Sequence, residues 1–220
     1  MRLLDRLVDD AGLFPPTSLS MDKALARFRN TSSPLLTGRF LVPGSRLHEL
    51  SSLLDGAIDV HVIGPGTSED DRIRVLAREG MAVTETPCYV EGVAPSELPE
   101  GVFGKVRCAG VGDEELAAYL DEAVRVSRPF KATAGLHRAV RGWDGAGFHG
   151  YLNVLLAVAR AIDGGKAIDA IVEDDPDVLT REARALSEDQ ATAVRWLFHS
   201  YGSCDTLQPT DDARELGLAV

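Results

Sequence analysis

Five short runs, each bounded on at least one side by glycine or proline, recur through the middle of the chain. They are GRFLVP (residues 38–43), AIDVHVI (57–63), MAVTET (81–86), VFGKVRC (102–108) and PFKATAGLH (129–137). Alternate side chains in each run are apolar, the pattern of a strand with one buried face. Their starts lie about 20 to 27 residues apart, room for one strand and one returning helix and little else. The stretches between them supply such helices. Leu47, Leu50, Leu53 and Leu54 fall at helical spacing in SRLHELSSLLDG, EDDRIRVLAREG reads as a second helix, and GDEELAAYLDEAVRVS opens on the acids that a helix dipole favours. PCYVEGVAPSELPEG reads as a loop.

Toward the ends, RLVDDAGLF reads as a first strand, TSLSMDKALARFRN as a first helix and FHSYGSC as a last strand or turn. HGYLNVLLAVARAIDGG is a long apolar helix stopped by two glycines, whereas AIDAIVEDDP suits a strand and a short helix equally. Seven or eight βα units result. The fold expected is α/β, a small (β/α)8 TIM-like barrel, irregular near the seventh unit and forming one domain over residues 1–220. An open doubly wound parallel sheet is the alternative. Its dinucleotide fingerprint has one literal match, Gly145 to Gly150 (GAGFHG), but no strand immediately precedes it and no acid ends a following strand. A glycine-rich loop entering a helix is the better reading.

Composition narrows the partners. With 45% hydrophobic and 26% charged residues, the 220-residue chain has the make-up of an ordinary globular protein. A net charge of −11 and a pI near 4.9 give a nucleic acid no basic stripe to bind. Cys88, Cys108 and Cys204, odd in number and scattered, suit a reducing compartment better than a disulfide framework. The first residues, MRLLDRLVDDAG, carry acids where a secretory segment is apolar, and no run has membrane-spanning length. The expectation is a cytoplasmic protein without nucleic acid or membrane partners, with homo-oligomers allowed.

Strand alternation places the chemistry. In PFKATAGLH, Phe130, Ala132, Ala134 and Leu136 share one face, and Lys131, Thr133, Gly135 and His137 share the other. Lys105 and Arg107 share a face of VFGKVRC. Asp59 and His61 share one with Ile63, and Glu85 lies with Met81 and Val83. In a barrel these faces point inward, where active sites gather at the C-terminal strand ends. The competing reading is a buried ion network that closes the barrel and has no other role.

If Lys131 and Lys105 share a pocket, mutual repulsion and desolvation lower one pKa and make a neutral amine available for a Schiff base. Lys131 is then the nucleophile and Lys105 its electrostatic partner. Glu85 shuttles a proton, His137 or His149 acts as acid and base, and Arg107 holds a carboxylate or phosphate beside Thr133 and Gly135. Asp10, in DDAGLFPP, either joins the site from a strand end or caps the next turn. The turn Gly202-Ser203-Cys204 offers hydroxyl, thiol and backbone N–H groups to an anion. Cys204 as a nucleophile is the rarer fate of such a residue, buried inert cysteine the commoner one. No ligand spacing for a metal and no cofactor motif is present; a zinc site would have to assemble from Cys88, Cys108, Cys204, His137 and His149 on separate elements. His48 and His199 read as surface or core residues. The expected function is an enzyme acting on a small anionic carbonyl compound, a lyase of aldolase type. A metal-assisted hydrolase or isomerase and a non-catalytic ligand-binding barrel are the alternatives.

The segments DDAGLFPP, GRFLVP, GKVRCAG, FKATAGLH with HGYLNV, and the late YGSC together resemble an uncharacterised bacterial protein family that has them in the same order along nearly the whole chain. Two departures stand out. Arg138 occupies the place of a second histidine after His137, and DTLQP is less acidic and aromatic than the family's segment after GSC. The K-x-T-x-G of Lys131, Thr133 and Gly135 is also similar to the Schiff-base strand of deoxyribose-phosphate and related class I aldolases. That similarity covers one strand and implies a barrel lyase by analogy of fold.

Overall fold

The computed structural model describes residues 2–31, 33, 37–82, 87–143 and 148–218. Its strands are β1 (Val8–Asp10), β2 (Thr37–Pro43), β3 (Ile58–Ile63), β4 (Ile73–Gly80), β5 (Cys88–Glu91), β6 (Val102–Arg107), β7 (Phe130–Thr133) and β8 (Phe198–Ser203). They pair in sequence order, all parallel, and β8 returns to β1 to close the barrel. This is the (β/α)8 architecture. Among the described residues, eight helices surround it: α1 (Met21–Arg29), α2 (Leu47–Leu53), α3 (Asp113–Arg125), α4 (Tyr151–Ile162), α5 (Ala167–Ile171), α6 (Pro176–Ala185), α7 (Glu188–Leu197) and α8 (Leu207–Glu215).

Alternation sorts the wall as the sequence dictates. Phe40 and Val42 of β2 and Val60 and Val62 of β3 face outward and are buried with Leu25 of α1 and Leu47 and Leu50 of α2. Phe130, Ala132 and Tyr201 face α3 and α4 in a second, larger cluster. α4 is buried from Tyr151 through Ala159. A helix apolar all round needs cover on every side, and α5, α6 and α7 pack on it.

The helices are not shared out one per strand. No described helix follows β3 or β4, and only a single 3-10 turn, Pro95–Glu97, follows β5. Four helices follow β7. The irregularity expected near the seventh unit is present, and a second one lies over units three to five. EDDRIRVLAREG, expected as a helix, is β4. Its alternation is hidden by a register shift, in which Val60 pairs Val75 but His61 pairs Ala77. The extra residue, Leu76, reverses the phase of the pattern, as a bulge does. PCYVEG, expected as a loop, contributes β5, whose four residues are too few for alternation to register. Of the strand expected at MAVTET, Met81 and Ala82 lie in a bend after β4, and residues 83–86 are outside those described. AIDAIVEDDP resolves as helix α5. Among the described residues, no helix is long and apolar enough to cross a membrane.

The loops after β2 and β3 meet backbone to backbone. A Cβ added to Gly44 would lie 2.2 Å from the Pro65 carbonyl oxygen, whereas one on Gly56 would meet nothing within 4 Å. Gly44→Ala should therefore destabilise by about 2 kcal/mol or more and Gly56→Ala by about 0.5 kcal/mol or less. Urea unfolding of the two variants checks this contrast.

Candidate active site at the barrel mouth

The centre of the barrel is ionic. Lys131, from β7, is 1% exposed. Its ammonium contacts Asp9 Oδ2 of β1 at 2.6 Å, Glu79 Oε1 of β4, and His61 Nδ1 of β3 at 3.2 Å. His61 Nδ1 also lies 2.9 Å from Glu79 Oε1. The other Glu79 oxygen is 3.2 Å from the Lys105 ammonium, which lies 3.6 Å from Glu91. Ser200 donates to Asp9 Oδ2 at 2.7 Å, and the Arg39 backbone N–H donates to Asp9 Oδ1 at 3.0 Å. Below the ammonium, the Tyr89 ring centroid is 5.4 Å away and stacks on the His61 ring.

Each charge in this layer is held by its neighbours. Burial alone would raise Asp9 and Glu79, but Lys131 and His61, together with Arg39 at Asp9 and Lys105 at Glu79, jointly outweigh it and both carboxyls sit below their ordinary range. Burial alone would lower Lys131, but Asp9 and Glu79 reverse that and push it up to about 12. His61 is lowered by burial and by Lys131, so its ring is neutral at pH 7.

Lys105 and Lys131 are register partners on adjacent strands, as expected. The expected consequence, a lowered lysine pKa, is reversed, because Glu79 lies between the two and contacts both. Lys131 is sealed beneath the network, and Lys105, with Arg107, reaches a cavity.

That cavity, about 450 Å³, opens at the C-terminal ends of the strands, on the face where barrel enzymes work. Its polar wall contains Glu79, Lys105, Arg107, Thr133, His137 and Cys204, and its apolar wall includes Phe14, Pro15 and Pro16. Gly135 also lines it, at φ +76°, where a Cβ would press on the Ala109 backbone at 3.0 Å. A hydrogen bond with His137, aided by Thr17, lowers the Cys204 thiol below its ordinary range. Cys204 is half-buried, not the inert core thiol that is its commoner fate. Cys108 is that thiol, pushed up to about 12 by burial.

Asp10 does not line the cavity but fixes its rim. It accepts from the Arg27 guanidinium and from the Gly12 N–H at 2.8 Å, and Arg27 donates in turn to the Cys204 carbonyl at 2.8 Å. Ser203 is buried in its own turn, donating to the Asp205 carbonyl at 2.6 Å. His149 is buried with Nε2 3.1 Å from the Val111 carbonyl, outside the cavity wall. Glu85 lies outside the described residues. Five central residues were not among the sequence-derived site: Asp9, His61, Glu79, Tyr89 and Ser200. Alternation places His61 inward beside Asp59, and Asp9 adjoins the residue selected. Glu79 and Tyr89 sit in segments read as helix and loop.

Asp9, His61 and Glu79 each present one donor atom, all within 4.8 Å of one another. These are the described residues able to hold a divalent cation, and the Lys131 ammonium already lies among them. No protein-family profile, curated protein or solved structure matches the chain. The buried charged cluster, met by a polar cavity at the strand ends, is the site's own evidence for a catalytic or ligand-binding role.

Two outcomes follow for stability. Wild-type stability should carry the full Lys131 contribution from about pH 7 to 10, because that contribution is complete below the unfolded pKa of 10.5 and fails only as pH rises through about 12. Below pH 6.5 stability should fall, since His61 and His199, the latter lowered to about 4, take up protons less readily in the folded state than in the unfolded chain. Lys131→Met leaves two buried carboxylates without their shared cation. It should cost about 3 to 5 kcal/mol at pH 7 and recover stability as pH falls toward 5, the opposite slope to wild type. Urea midpoints at pH 5, 7 and 9 for both proteins test both statements.

Proposed function

We propose that the chain is a hydrolase for a small anionic acyl compound, working through Cys204 and His137 at the C-terminal mouth. The observation that carries this reading is that one cavity wall brings a hydrogen-bonded thiol and imidazole together with the cations Lys105 and Arg107. A thiolate is the nucleophilic form of cysteine, and a neighbouring histidine is the usual device for making it at neutral pH. In the step proposed, Cys204 Sγ adds to the acyl carbon and forms a C–S bond. The leaving group departs with the proton held by His137. Water then adds to the thioester, giving its proton to His137 and releasing the acid and the thiol. Lys105 and Arg107 hold the substrate's carboxylate or phosphate. The segments that carry the likeness to the bacterial family also supply this wall: Phe14 to Pro16, Thr133 to Gly135, His137, and Gly202 and Cys204.

The Schiff-base reading loses its premise, since Lys131 is buried, protonated and outside the cavity wall. A second reading has one observation in its favour. The convergence of Asp9, His61 and Glu79 supports a metal-assisted hydrolase or isomerase, provided a divalent cation displaces the Lys131 ammonium.

Iodoacetamide should alkylate Cys204 at pH 7 well before Cys88 or Cys108, and His137→Gln should slow that reaction about tenfold or more. On a panel of small anionic esters and acyl phosphates, Cys204→Ser should lower turnover by about a thousandfold, and a quenched reaction should yield an acylated Cys204 peptide. Turnover that survives alkylation of Cys204 and depends on added zinc or manganese would transfer the function to the metal reading.

A further inference from the structure

The opposite mouth of the barrel holds a second cavity, of about 420 Å³, that the proposed chemistry does not use. The N-terminal ends of the strands and the end of α7 line it with Arg39, His61, Tyr89, Phe103, Arg195 and His199. The ionic layer separates it from the upper cavity, and His61 faces it while turning Nδ1 to Glu79.

Its cations are only partly matched by the protein. Arg195 donates to the backbone carbonyls of Asp5, Phe198 and His199 at 3.0, 3.0 and 2.6 Å. Among the described residues it meets no carboxylate within ion-pair distance. Arg39 approaches Asp9 at only 3.7 Å, and its buried Nε has no hydrogen-bond partner. Asp9, for its part, is already engaged by Lys131, Ser200 and the Arg39 N–H. A half-buried charge without a carboxylate partner is unfavourable, and burial together with the charge of Arg39 depresses Arg195 to about 10. Aromatic rings make up much of the remaining wall, with Leu76, Ala77 and Pro87 beside them. Tyr89 and Phe103 have centroids 5.2 Å apart, His199 sits edge-on to both, and the Tyr89 hydroxyl is 2.7 Å from His199 Nδ1.

We propose that this lower cavity is a binding site for a small aromatic oxyanion, its carboxylate or phosphate held between Arg39 and Arg195 and its ring against Tyr89, Phe103 and His199. Guanidinium forks match such oxyanions, and the aromatic wall matches an unsaturated ring rather than a polyol. The site stands apart from the Cys204 cavity, so it does not depend on the hydrolase reading.

Isothermal titration of the full chain with benzoate, phenyl phosphate, benzamide and acetate tests it. Benzoate and phenyl phosphate should bind at millimolar concentration or tighter. Benzamide, without the charge, and acetate, without the ring, should each bind at least about tenfold more weakly. Arg39→Met and Arg195→Met should each weaken benzoate about tenfold or more, while Arg125→Met, on the exposed face of α3, should change it by less than about twofold. Because Arg195 ties three backbone carbonyls, circular dichroism must show that variant folded; if it is not, Arg39→Met alone decides. Absence of benzoate and phenyl phosphate binding, or binding that survives Arg39→Met, would overturn the proposal.

Discussion

An ammonium group sealed from water must be neutralised where it lies, and here that task falls to strands far apart in the sequence. Lys131 on β7 takes Asp9 from β1 and Glu79 from β4, with His61 of β3 completing its surroundings. A small barrel more often fills this layer with branched apolar side chains. Charges there restrict the wall more severely than methyl groups do. Hydrocarbon tolerates a slipped strand if volume is kept, whereas an ammonium displaced by one residue loses both carboxylates and is left buried and unpaired. The register of β1, β3, β4 and β7 is thus tied to one contact. The shifts at Val60/His61 and at Phe130/Lys131 are the adjustments that bring His61, Glu79, Lys131 and Ser200 to a common height.

The same layer divides the barrel. Above it, Glu79 and Lys105 form the floor of the C-terminal cavity; below it, His61 and Tyr89 form the roof of the N-terminal one. Glu79 has its two oxygens committed to opposite partners, Lys131 with His61 and Lys105. A proton is therefore not readily taken up by this carboxylate, which is held well below its ordinary range. For the upper cavity the network is better understood as a fixed field than as a proton store. It anchors Lys105 beside Arg107, and preorganised charge of this kind acts without reorganising during a reaction.

What the sequence made legible follows from local periodicity. The inward faces of β6 and β7 were readable because Lys105, Arg107, Lys131 and Thr133 keep strict alternation through uninterrupted strands. A parallel α/β wall was readable from the spacing of the units, and a barrel from their number, seven or eight, with an open sheet as the alternative. Glu79 was not, because the bulge at Leu76 breaks its strand's phase and the surrounding arginines and acids imitate a helix. The sign of the Lys131 shift was beyond reach for a related reason. Two lysines on neighbouring strands suggest repulsion, and only the unseen carboxylate between them turns it into attraction. Asp9 and Asp10 show the limit of reading within one strand. The alternation that separates them is clear, but which of the two points inward depends on how β1 pairs with β8 and β2.

The uneven helical coat bears on where chemistry can be placed. Over β6, β7, β8 and β1 the barrel is backed by α3 and α4, and α4 is itself covered by α5 to α7. From this half come Lys105, Arg107, Thr133, His137 and Cys204. Over β4 the coat is thin, and Val75 and Leu76 are each 40% exposed on its wall. From that side comes Glu79, whose position is secured from within by two ammonium groups. A catalytic geometry needs its side chains held to a fraction of an ångström by a supporting shell. In this barrel, helix packing supplies that shell on one half and buried charge supplies it on the other. The ionic centre therefore has a purpose even if it never touches substrate: it does for the thinly coated strands what α4 does for the rest.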